Sequence, residues 1–268
     1  MHIQSTIDDP IHVRGQDGLS IARGFVQGIT SIHKFGNAPD FDSGDLEVDL
    51  WTGANDAGPN LMQYTYSTSP DINRLSSSID TDTQDIEIQG LDKNYKFVIQ
   101  TITLTGQTPA PLENDLYRVL RMRNMGATNL AGTVYCFVNV ATTAGVPDTL
   151  ANIRGMIPIG SNQTKAAIHT IPASSKGYLF SFFASLSGAK KEASYTIRLY
   201  ARPYGGVFQL QHESSIANTM GFFHIPFYVP KVFEARTDIA LRALTVTGGI
   251  TESNIAGGFE LIIADEGD

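Results

Sequence analysis

Apolar and polar residues alternate with a period of two along most of this chain, in short runs separated by turn formers. Leu46, Val48 and Leu50 alternate with Glu47 and Asp49, and Ile86 and Ile88 with Asp85, Glu87 and Gln89. Residues 97–104 carry apolar side chains on both faces, the pattern of a strand covered on both sides. The same reading predicts strands over 117–123, 132–140, 153–159, 165–171, 178–186, 195–202, 207–212, 222–229, 239–246 and 259–264. Gln89-Gly90, Thr105-Gly106, Ser161-Asn162, Ser175-Lys176-Gly177, Gly205-Gly206 and Gly248-Gly249 predict turns, because they tolerate positive φ or bond their own backbone. Only 148–155, with Asp148 as N-cap and Gly155 as stop, and 232–243 have enough helical character for a turn or two. Closely spaced strands without helix-length connections argue against a parallel α/β sheet. They predict an all-β chain folded as an antiparallel β-sandwich, jelly-roll-like.

The first sixty residues read differently. The stretch 8–20 is polar, and NAPDFDSG (37–44) and NDAGPN (55–60) are turn clusters. The expectation is an N-terminal arm or small β sub-domain over 1–60, followed by the sandwich over 61–268. No low-complexity tract or internal repeat interrupts the chain.

Composition narrows the partners. Charged residues make up 17% of 268, below the usual ~25%, with Ser, Thr, Asn, Gln and Gly in their place. The net charge is −8 and the 19 basic residues are scattered, so no positive field invites nucleic acid or anionic lipid. The chain opens without the apolar core of a signal peptide. Its least polar stretch, 130–146, alternates like a strand and is too polar to cross a membrane. Cys136 stands alone, flanked by strand-like residues, which predicts an inert core thiol in a protein made in a reducing compartment.

Candidate chemistry is sparse. Asp40, Asp42 and Asp45 in DFDSGD, and Asp80, Asp82 and Asp85 in DTDTQD, supply clustered oxygen ligands of the kind Ca²⁺ takes. The first cluster starts like an EF-hand loop but has Trp51 at the twelfth position, so solvated turn carboxylates are the expectation. His212-Glu213 begins like HExxH, with Ile216 where the second histidine belongs. No GxSxG, GxxxxGK[ST] or strand-linked GxGxxG occurs, so no catalytic residue, metal or cofactor is assigned and an enzyme is not expected. Arg118, Arg121 and Arg123 share one predicted strand, with Arg121 and Arg123 on one face and Arg118 on the other. Pairing with Asp or Glu is expected of them. Aromatic clusters at Tyr64–Tyr66, Phe180–Phe183 and Phe222–Tyr228 fit core or interface packing, and alternatively a sugar platform. The sequon Asn162-Gln163-Thr164 is expected to be a turn.

Four segments in order carry a resemblance. They are HKFGNAPDFDSGDLEVDLW (33–51), SSSIDTDTQDIEIQGLD (76–92) leading into YKFVIQTITLTGQTPAPL (95–112), YRVLRMRNMGATNLAGTVY (117–135), and IGSNQTKAAIHTIPASSKGYL (159–179). Over most of 30–265 the chain resembles an uncharacterised family of virion structural proteins of marine tailed phages and some algal viruses. It departs at Pro111 and Leu112, where Val and a Thr-rich run are common. The resemblance implies a particle component located in the virion, made in the host cytoplasm and not catalytic. The expected role is a capsid decoration, cement or vertex protein. It would bind the major capsid protein or other virion proteins as a homo-oligomer, most simply a trimer, through Ile21, Phe25, Ile29 and Phe35 of the arm. Deleting 1–36 would then release it from the particle and leave the sandwich folded. The alternative is a tail-associated adhesin that binds host-surface glycan.

Overall fold

The computed structural model describes residues 17–41, 46–53, 63–187, 194–217, 221–247 and 253–266. In chain order its elements are a short helix α1 (Asp17–Ala22) and strands β1 (Ile29–Phe41), β2 (Val48–Asp49), β3 (Ile72–Ser77), β4 (Asp85–Leu91), β5 (Phe97–Thr103), β6 (Ala110–Leu116), β7 (Arg118–Asn124), β8 (Val134–Val138), β9 (Thr142–Thr143) and β10 (Val146–Pro147). After a single 3-10 turn at Leu150–Asn152 come β11 (Ile153–Ile157), β12 (Ile168–Thr170), β13 (Ser175–Ser187), β14 (Ser194–Arg202), β15 (Gln209–Ala217), β16 (Phe222–Phe233), β17 (Asp238–Thr247) and β18 (Ser253–Asp265). The protein is all-β, and antiparallel pairing joins its sheets.

Two sandwiches are present. In the first, the sheet β1-β18-β13-β16 faces the sheet β12-β17-β14-β15, with β2 also pairing β17. β2 and β12 lie on the same side of β17, at Arg242–Ala243 and Asp238–Ala240 respectively, as two pieces of one interrupted strand. Counted so, eight strands run 1-8-3-6 and 2-7-4-5, which is the jelly-roll order. Phe41, Leu50, Phe182, Tyr195, Leu199 and Phe259 fill the space between these sheets. In the second sandwich, the sheet β11-β8-β3-β6 faces β5-β4-β7 over Ile72, Leu75, Ile86, Ile88, Met122 and Cys136.

The second sandwich is spliced into the interrupted strand of the first. Where the chain leaves and returns, Trp51 bridges Ala166, the Thr52 amide donates to the Lys165 carbonyl at 3.0 Å, and the Ala167 amide donates to the Leu50 carbonyl at 2.8 Å. The expected boundary at 60/61 lies outside the described residues. On its near side, however, β1 and β2 belong to the jelly roll, paired with its last strands rather than standing apart as an arm.

β1 escaped the sequence reading because its inward positions are Ile32, Lys34, Gly36 and Ala38, and its outward ones include His33 and Phe35. The alternation is inverted, so no apolar stripe announces the strand. Gly36 is inward because nothing larger fits: a Cβ there would lie 2.0 Å from the Leu50 carbonyl oxygen and 2.4 Å from the Ala167 amide nitrogen. β6 was hidden by Pro111, tolerated because β6 is a sheet edge. Gly90 sits inside β4, not in a turn. There the register with β7 shifts, and a Cβ would meet the Arg118 carbonyl oxygen at 2.6 Å. Residues 232–243 form the end of β16 and the start of β17 rather than a helix, since their inward positions Phe233, Ile239 and Leu241 complete the jelly-roll core.

Candidate functional site

Arg118 is where the two sandwiches meet. From β7 of the insert its guanidinium reaches Asp238 on β17, with Nε–Oδ1 2.9 Å and NH2–Oδ2 3.1 Å. Arg202 approaches the same carboxylate at 2.6 Å, and Thr170 donates its hydroxyl to Oδ1 at 2.6 Å. The Tyr66 ring lies 5.1 Å from the Arg118 guanidinium and 4.5 Å from that of Arg202. A second buried pair lies alongside: Arg242 donates to Asp49 at 2.8 Å, and the Tyr64 amide donates to the other Asp49 oxygen at 2.7 Å. Burial pushes the Asp49 carboxyl up, against the pull of Arg242. The expected pairing with an acid is intramolecular for Arg118 and for Arg123, which forms a two-pronged contact with Glu87 at 2.8 Å; Arg121 instead donates to the neutral Gln163 at 2.8 Å. The Tyr64–Tyr66 cluster is thus part of this joint, edge-on to Trp51 and to one another, and not a surface platform.

Beside the joint lies a cleft between the sandwiches, with one polar lobe of about 540 Å³ and one more apolar lobe of about 380 Å³. β1 and His169 of β12 form one wall; Phe97 of β5 with Leu120 and Arg121 of β7 form the other. Lys34 is buried and donates to the Leu120 carbonyl at 2.6 Å. Burial, and then the nearby Arg121 charge, lower its ammonium to about 7. His169 is 3% exposed, and neither ring nitrogen has a hydrogen-bond partner among the described residues. Burial and then Lys34 lower it to about 3, so it is neutral at physiological pH. Sequence reading missed both residues. A lysine on the inward face of β1 and a histidine in the short β12 look like ordinary surface positions until the insert is laid over them.

The predicted cation loops behave otherwise. The side chains of Asp40, Asp42 and Asp45 lie outside the described residues. Asp82 is buried and already occupied: it accepts from the Ser77 hydroxyl at 2.6 Å and from the Ala131 and Gly132 amides at 2.8 and 2.9 Å. Asp85 accepts from Thr103, and Asp80 is exposed. Among the described residues no group of three or more acidic, histidine or cysteine side chains is placed to hold a metal. His212 packs its ring between Phe182 and Phe227, while Glu213 pairs with Arg198. Cys136 is fully buried, and burial pushes its thiol up to about 12. Asn162 holds a positive φ of 54° and receives hydrogen bonds from Asn124 and Leu130, which makes it a turn. No helix among the described residues is long and apolar enough to cross a membrane.

The outermost strand of the first sheet, β16, carries a strip of exposed apolar side chains. Tyr228 is 92% exposed and Val229 76%; Phe222, Val232 and the neighbouring Phe180 of β13 are also exposed. Their alternates Phe223, Ile225 and Phe227 pack on the core. Of the predicted anchoring residues, Ile21 lies in α1 and is half-buried, and Phe25 is exposed beneath the Arg23 guanidinium. Ile29 and Phe35 pair with Ala264 and Gly258 of β18, so they are fixed in a sheet and do not belong to a free arm.

No protein-family model matches the chain, and no curated protein matches it. Among solved structures it is similar to infectious bursal virus derived T=1 particles, with TM-score 0.27 and 9% identity over 90% of this chain and 71% of that one. It is also similar to the infectious bursal disease virus Gt strain, with TM-score 0.25 and 8% identity over 88% and 72% of the two chains. A third is the infectious bursal disease virus VP2 subviral particle, with TM-score 0.25 and 8% identity over 91% and 74%. Likeness this low assigns nothing to the present protein.

Proposed function

We propose that the protein is a non-catalytic structural component of a tailed-phage particle, a head-decorating oligomer, most simply a trimer, assembled through β16. The strip on β16 carries this reading. Large apolar side chains stand on an outer strand of a jelly roll, and a strand edge that no described residue covers is a template for association. The ordered motifs of the sequence favour the same role, and the buried joint between the sandwiches suits a protein that must hold shape under load. Ile21 and Phe25, on the short segment before β1, supply contacts to the capsid lattice.

Sedimentation of the purified chain tests the assembly. The expected result is an oligomer that the double substitution Tyr228→Glu, Val229→Glu converts to a folded monomer. A monomeric wild-type chain, or a double variant that still assembles, overturns the role of the strip. Gold-labelled antibody on purified virions tests the location: label over the head is expected, and label at the tail or none on the particle overturns head decoration.

A further inference from the structure

We propose that the cleft between the two sandwiches binds an amphipathic carboxylate, a molecule with one anionic head and an apolar body of fatty-acid type. Lys34 and Arg121 line the polar lobe, and none of the residues lining that lobe is acidic among those described. Lys34 is buried with a carbonyl as its only described partner, and so lacks the counter-charge that a buried charge ordinarily finds; Arg121 adds a second, exposed positive charge to the same lobe. His169, nine-tenths buried with both ring nitrogens unsatisfied, lines both lobes and marks where a polar guest would complete the wall. The other lobe offers Ile32, Phe97, Leu120, Pro172 and Ile263 to an apolar body. Lobes of about 540 and 380 Å³ fall in the range of ordinary ligand sites, roughly 300–1,000 Å³, which favour junctions between domains.

The head sits in the lobe that Lys34, Arg121 and His169 line together, and the body runs toward Ile263. One end of the guest then touches the jelly roll and the insert together. Binding fastens one sandwich to the other beside the Arg118–Asp238 contact and is read as added thermal stability. The charge on Lys34 gains a counter-ion, so the guest favours its protonated form.

Calorimetric titration of the whole chain at pH 6.5 with decanoate, decanol and inorganic phosphate tests this. Decanoate is expected to bind saturably at one site and raise the melting temperature. Decanol and phosphate are each expected to bind at least tenfold more weakly. Arg121→Gln, at an exposed position, is expected to keep the unliganded melting temperature and weaken decanoate at least tenfold; Lys34→Met is expected to weaken decanoate likewise. No saturable decanoate binding, which would mean water alone fills the cleft, overturns the proposal. So does decanol or phosphate binding as tightly as decanoate, or wild-type affinity in Arg121→Gln. None of these readouts depends on the assembly state or on particle location.

Discussion

Arg118 and Asp238 face each other through a two-pronged, almost fully buried ion pair, and 120 residues of chain separate them. Each belongs to a different sandwich, so this contact sets how the insert is seated on the jelly roll. Asp238 also neutralises Arg202. Removing one partner of a buried pair strands the other charge and costs roughly 3–5 kcal/mol. Asp238→Ala is therefore expected to lose stability of that order in urea denaturation and to separate the unfolding of the two sandwiches. Replacing Arg118 and Asp238 together with apolar residues should recover only part of that loss, because Arg202 and Thr170 still lose their acceptor.

Gly106 explains why the GQTP segment begins with glycine. Its φ is +63°, and a Cβ would lie 2.2 Å from the Asp80 carbonyl oxygen. Left-handed backbone costs a non-glycine residue about 1–2 kcal/mol before any clash. Gly106→Ala is expected to lower stability by about 2–4 kcal/mol. Gly206→Ala, in a turn with a nearest contact of 3.2 Å and no positive φ, should change it by less than about 1 kcal/mol in the same assay.

Asp82 acts as an internal cap for the turn that carries Ala131 and Gly132. Its lone pairs are committed to protein donors, so a chelator or millimolar Ca²⁺ should leave the melting temperature unchanged. Asp82→Ala, by contrast, should cost about 2–3 kcal/mol by leaving two amides and a hydroxyl without an acceptor. A chelator-induced drop in melting temperature that persists when Asp40, Asp42 and Asp45 are replaced by Asn would assign the DTDTQD loop to a cation after all.

His169 and Lys34 predict a pH profile. Both are basic groups whose folded pKa is depressed, to about 3 and about 7. The unfolded chain takes up their protons first, so stability rises with pH across each window: from about 3 to 6.5 for His169 and from about 7 to 10.5 for Lys34. Within a window each group contributes up to about 1.4 kcal/mol per pH unit. Denaturation midpoints measured from pH 4 to 6 should flatten by about one proton in His169→Leu, and those from pH 8 to 10 in Lys34→Met.

Much of the fold was written in period-two alternation: β7, β8, β11, β13, β14, β16 and β17 each overlap a strand predicted from sequence. What failed was alternation whose inward face is not apolar. β1 turns Lys34 and Gly36 inward because it packs on backbone and borders a cleft, and neither requirement leaves a hydrophobic trace. The insertion was illegible for a different reason: β2 and β12 are two and three residues long, and only their shared partner β17 reveals one strand cut in two. Arg118, Arg121 and Arg123 were visible as a group. The partner of Arg118 lies far along the chain, and Lys34 and His169 showed nothing that distinguished them from surface residues.

The pairing of β1 with β18 places Ile29 opposite Ala264. During synthesis the first strand of the jelly roll leaves the ribosome long before its neighbour in the sheet, the only one among the described residues, exists. The inserted sandwich, with β3 to β11 contiguous in sequence, has every strand of its two sheets made by residue 157, and the bridge from Arg123 to Gln163 follows a few residues later. Non-local pairings of this kind are slow to form. The order of maturation thus runs from the inside of the sequence outward, and for most of its translation the nascent jelly roll carries an unmatched strand that a holding chaperone, or a second nascent copy, is positioned to meet.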